Sequence, residues 1–87
     1  MTHQDFLNKC IEEVKQYTKE NILPTLEKPH SDFSVYVVWS CKTLQNSKAL
    51  LSTTLSDDMY YECTYNGNTN EIYFDAYKKK LNKSIKL

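Results

Sequence analysis

Arginine is missing from this 87-residue chain, and all eleven of its basic residues are lysines. Without the planar guanidinium fork that reads guanine edges, sequence-specific DNA recognition is disfavoured, although lysine still meets phosphate as a point charge. Glycine occurs once, at Gly67, which excludes the glycine-rich phosphate cradles of dinucleotide-binding and P-loop proteins. The two histidines, His3 near the N-terminus and His30 in a proline-containing loop, are too few and too dispersed for a zinc site or a nucleophile–base pair. The acidic pairs Glu12/Glu13 and Asp57/Asp58 are adjacent, so on a helix they diverge and in a loop they are turn chemistry. The three cysteines, Cys10, Cys41 and Cys63, are odd in number and set in apolar segments, as buried free thiols are. No stretch approaches the roughly 18 apolar residues of a membrane span, and the first thirty residues lack the order of a signal peptide. The expectations are a cytoplasmic protein with no catalytic residue, no metal and no cofactor.

A hydrophobic share of 40% with 13% aromatics is enough to fold, and the length suits one domain over residues 1–87. A core this small gains from oligomerisation, so a homo-oligomer is expected. The heavy use of Lys, Asn, Ile and Tyr is what an AT-rich genome produces. Charge is uneven: residues 75–87 carry Lys78, Lys79, Lys80, Lys83 and Lys86 against Asp75, which leaves the remainder net acidic.

Thr2 followed by Asp5 is a capping signal, and Phe6, Leu7, Cys10, Ile11, Val14 and Tyr17 then fall on one helical stripe. The spacing predicts an amphipathic helix over 3–21, ended by Pro24, with residues 24–33 as a loop around Pro29. The β-branched and aromatic run from Ser34 to Thr43 predicts a strand with Val35, Val37, Trp39 and Cys41 on one face and Tyr36, Val38, Ser40 and Lys42 on the other. A turn at 45–47 leads to a second strand at 48–54, and alternation over 59–65 marks a third. Asn66-Gly67, a pair that carries positive φ cheaply, predicts with Asn68, Thr69 and Asn70 a hairpin loop leading to a fourth strand from Glu71 to about Asp75. Tyr77, Leu81 and Ile85 recur every four residues, which favours a basic C-terminal helix, with a terminal strand as the other possibility. The expected fold is therefore α+β, an N-terminal amphipathic helix packed on a four-stranded antiparallel sheet, with a basic C-terminal helix or strand.

Aromatic side chains with polar tips lie among lysines on this sheet, and rings beside ammonium groups can stack a base and hold a phosphate. The same residue types also build ordinary sheet faces and protein-binding patches. The segments from Val35 through Trp39 to Asn46, Lys48 to Thr53, Met59 to Glu62 and Thr64 to Gly67 resemble an uncharacterised family of small phage and prophage proteins of Gram-positive bacteria. The resemblance implies a phage accessory protein acting in the host cytoplasm, of a kind that inhibits host proteins or counters defence. The leading expectation is a non-enzymatic sponge for a small anionic ligand, a nucleotide immune signal, held by Trp39, Lys42, Lys48, Tyr60 and Tyr61. The alternative is a protein-interaction module that inhibits a host protein, and the third is weak nucleic-acid binding through the lysine-rich C-terminus. No membrane partner is expected.

Overall fold

The computed structural model describes residues 1–26 and 32–87. The expected loop about Pro29 and His30 lies largely outside the described residues. Helix α1 (His3–Tyr17) begins where Thr2 takes an extended conformation and its hydroxyl accepts from the Asp5 amide at 3.0 Å, while Asp5 returns the bond to the Thr2 amide. Two of the amides that a helix start leaves without partners are thus satisfied. The stripe does what its spacing requires: Phe6, Cys10 and Val14 are fully buried, with Leu7, Ile11 and Tyr17 packed around them.

Pro24 does not stop the helix at residue 21. The chain widens into a π turn over Thr18–Ile22, in which the Leu23 amide reaches the Thr18 carbonyl, and then tightens into a 3-10 turn over Leu23–Thr25. Proline sits in the first turn of that last piece, where a missing N–H costs little.

Four antiparallel strands follow in sequence order: β1 (Val35–Thr43), β2 (Asn46–Thr53), β3 (Met59–Asn66) and β4 (Glu71–Lys78). The helix covers one face. On that side Ala49 and Leu51 of β2 and Tyr61 and Cys63 of β3 are fully buried beneath Phe6, Cys10 and Val14. Tyr17 meets Tyr61 edge-on at 5.5 Å and lies 5.8 Å from Phe74, so an aromatic cluster closes the end of the core beneath Tyr17. At about 25 cal/mol per Å² of apolar surface removed from water, each of these larger side chains contributes on the order of 2 kcal/mol.

Of the three turns, the first and the third depart from expectation. Thr43 pairs with Asn46, so the first hairpin turns on Leu44 and Gln45, with Leu44 in the left-handed region at φ 56°, and Asn46 and Ser47 already belong to β2. In the second, Asp58 takes φ 58° while the Asp57 carboxylate accepts from the Met59 amide. In the third, Asn70 and not Gly67 adopts positive φ, at 55°. Gly67 is required for proximity instead: a Cβ there would run into the Gln45 carbonyl oxygen and lie 2.7 Å from the Gln45 Cβ and Cγ. The two hairpin tips at this end are laced together, Gly67 donating its amide to Asn46 Oδ1 and Gln45 donating its side-chain amide to Asn68 Oδ1.

The C-terminal segment is not a helix. β4 runs on through Lys78, the Lys79 amide donates to the Asp58 carbonyl at 2.8 Å, and residues 79–87 continue without regular structure and exposed. Ladder hydrogen bonds to β3 satisfy Ala76 and Tyr77 at once, whereas a helix of so few residues would have to nucleate alone.

Replacing Gly67 with Ala should lower stability by about 1–3 kcal/mol, the cost of forcing a side chain into a closed contact. Replacing Thr2 with Ala should cost about 1 kcal/mol through the lost cap. Urea unfolding followed by circular dichroism measures both, and equal stability of Gly67→Ala and the parent would contradict the packing role of this glycine.

Candidate binding face

The bare face of the sheet is defined by a β-bulge. Val37 pairs with Leu51 and Trp39 with Leu50, leaving Val38 as an extra residue in β1. Because side chains alternate along a strand, one inserted residue turns everything after it to the opposite face. Trp39 and Cys41 therefore do not share the helix face with Val35 and Val37; they lie on the open face, while Ser40 and Lys42 turn toward the helix. His3 corroborates the inversion. Its ring bridges Ser40 Oγ at 3.1 Å and Ser47 Oγ at 3.3 Å, tying the first helical turn to β1 and β2. His3 is thus held in place by tertiary contacts that only the fold could reveal, since its partners are 37 and 44 residues away.

Cross-strand register arranges the open face in rows. Tyr36 opposes Ser52, and Tyr60 opposes Tyr77. Trp39, Leu50, Glu62 and Asp75 form the next row, and Cys41, Lys48, Thr64 and Tyr73 the one after it. Aromatic rings line both edge strands: Trp39 is 44% exposed and Tyr73 49%, with Tyr36 and Tyr77 similar. Lys48 stands near the middle and pairs with Glu62 at 3.3 Å, a diagonal contact across the β2–β3 ladder.

Of the five residues expected to hold a ligand, three share this face: Trp39, Lys48 and Tyr60. Lys42 opposes Ser47 and belongs to the other side of the sheet. Tyr61 is wholly buried in the core, stacked at 5.8 Å on Phe74. Burial pushes its phenol above the ordinary tyrosine value; the Thr18 hydroxyl partly offsets this, and the nearby Asp57 carboxylate adds to it. Tyr36, Leu50, Tyr73 and Tyr77 complete the face. Alternation in β4 could have singled out Tyr73 and Tyr77, but Leu50 needed the register to β1.

The hollow beside Lys48, bounded by Cys41, Thr43, Asn46 and Thr64, measures about 220 Å³. That is below the roughly 300–1,000 Å³ of an ordinary small-molecule site. Around it Glu62 and Asp75 stand against Lys48, so the charge here does not favour an anion. Among the described residues no three His, Cys, Asp or Glu side chains are grouped to hold a metal ion. No helix among them is long and apolar enough to cross a membrane.

Fold and face together define a small α+β domain in which the described residues leave one tyrosine-rich sheet surface uncovered. The chain belongs to a family of unknown function, DUF6275, whose model matches residues 7–87. No curated protein matches it. No solved structure matches it either.

Trp39→Ala should change stability by no more than about 0.5 kcal/mol, as expected of an exposed side chain. Tyr61→Ala should cost about 3–5 kcal/mol. Denaturant titration separates the two. A phenol whose folded-state value is raised stays protonated while the unfolded chain ionises, so its contribution is complete below the ordinary value of 10.0 and is lost as pH rises above it. Stability should therefore fall above pH 10.0, and Tyr61→Phe should remove that component.

Proposed function

We propose that this protein is a non-enzymatic interaction module whose open sheet face binds another protein. One observation carries this: Tyr36, Trp39, Leu50, Tyr60, Tyr73 and Tyr77 lie on one uncovered sheet surface whose lysine is already neutralised by Glu62. Tyr and Trp supply large contact area with little side-chain entropy to lose, and they dominate the energetics of protein interfaces. Exposed apolar surface gathered in this way marks contact sites more often than it marks inert surface.

The resemblance to phage and prophage proteins supports a phage accessory role in the host cytoplasm, with a host protein as the target of inhibition. Sequestration of a nucleotide draws on the same rings, with Trp39 and Tyr60 beside Lys48. It has weaker physical support, because Lys42 and Tyr61 are directed elsewhere and the carboxylates of Glu62, Glu71 and Asp75 share the face with Lys48.

The test is capture of partners from a host lysate by immobilised protein, comparing the parent chain, a Trp39→Ala/Tyr73→Ala variant and a chain lacking residues 79–87. The face variant should lose the partner while the truncated chain keeps it, and binding should survive raised salt. Retention by the face variant with loss on truncation would move the activity to the lysine-rich segment, where phosphate-type contacts weaken steeply with salt. A thermal-shift panel of cyclic and linear nucleotides should show no stabilisation. A rise approaching that of about 2.7 kcal/mol, which a ligand gives at a hundred times its dissociation constant, would restore the sponge.

A further inference from the structure

The helix lies across the inner rows of β1, β2 and β3 in a fixed register. Phe6 stands beside Tyr65, with ring centres 6.3 Å apart, and at the other end Tyr17 stands over Tyr61. Four helical residues rise about 6 Å and two strand residues span about 6.6 Å, so the two inner rows keep step. Stepping from Phe6 by one helical turn and from Tyr65 by one strand repeat brings Cys10 onto Cys63. Both are free thiols, and both are wholly buried in the core between helix and sheet. Cys41, the third thiol, is exposed on the opposite face of the sheet.

We propose that Cys10 and Cys63 form a redox-sensitive dithiol that closes into a disulfide across the helix–sheet interface when the protein meets a peroxide. Both belong to one buried cluster with Phe6, Val14, Ala49, Leu51 and Tyr61. Hydrogen bonding to Cys63 and then burial hold the Cys10 thiol far above its ordinary value, and the same bond lowers Cys63 against the burial that raises it. Oxidation begins at one sulfur of the pair, for example Cys63. Its lone pair takes the terminal oxygen of hydrogen peroxide; the S–O bond forms, the O–O bond breaks, and water leaves with the thiol proton, giving a sulfenic acid. Cys10 sulfur then attacks Cys63 sulfur; the S–S bond forms, the S–O bond breaks, and a second water carries off the remaining proton. Two thiols lose two electrons and two protons in total, and one peroxide becomes two waters.

The closed bond joins the first element of the chain to an interior strand. It restricts the unfolded chain over the long loop between residues 10 and 63 without altering the open face, so this switch acts on the core and stands apart from partner binding. Access is the limiting step. A small oxidant reaches the pair when the helix end loosens, and a bulky one does not.

The experiment uses the full chain carrying Cys41→Ser, which removes the exposed thiol and its intermolecular chemistry. The protein is exposed to hydrogen peroxide, unfolded in the presence of N-ethylmaleimide, and analysed by intact mass and non-reducing peptide mapping. The expected result is loss of two hydrogens, no maleimide uptake, and one cross-linked peptide joining Cys10 to Cys63. Its melting temperature should exceed that of the reduced form by roughly 10 °C and return on treatment with dithiothreitol. Uptake of two maleimides after peroxide treatment would overturn the proposal, and so would oxygen adducts on either cysteine without the cross-link.

Discussion

Everything else in this molecule depends on one contact, the seating of the Phe6, Cys10 and Val14 stripe on the inner rows of β2 and β3. A four-stranded sheet has little stability until one face leaves water, and a lone helix of fifteen residues is marginal in isolation. Each supplies the surface that the other lacks. The contact also decides which face stays open, because the described residues offer a single α-helix to cover the sheet.

The devices around that core serve the same end. The capping box fixes where the helix begins, and His3 ties that beginning to Ser40 and Ser47. At the far end a π turn over Thr18–Ile22 and then the 3-10 turn that holds Pro24 carry the helical path on beyond Tyr17. The hairpin tips are held by side-chain amides bonded across the gap between them, which is possible because Gly67 brings its backbone against Gln45. These contacts are individually worth about 1 kcal/mol or less, yet they set the register on which both sheet faces rest.

Much of this was legible beforehand, and the misses share a cause. Helix start, inner stripe, four strands and meander order could all be read from capping chemistry and periodicity, since those signals are local. Trp39 was assigned to the face of Val35 because alternation alone cannot reveal an inserted residue; Val38 is recognisable as a bulge only once β2 is paired. Tyr61 was taken for a ligand contact because a tyrosine in an alternating strand has the same signature inside or outside. Among the candidate residues, Trp39, Lys48 and Tyr60 are brought together, Lys42 and Tyr61 are separated from them, and Tyr36, Leu50, Tyr73 and Tyr77 join through pairing.

By itself the sequence determined the order of the elements, their types ahead of the C-terminal segment and most of the apolar rows that must meet, because hydrogen-bonding capacity and side-chain period are properties of neighbouring residues. Tertiary structure alone decided three matters. It chose which face of β1 turns outward after the bulge, it continued β4 where a helix of equal periodicity was open to the chain, and it set Cys10 over Cys63. Each depends on partners far apart in the chain, and spacing within one segment carries no information about what that segment will be packed against.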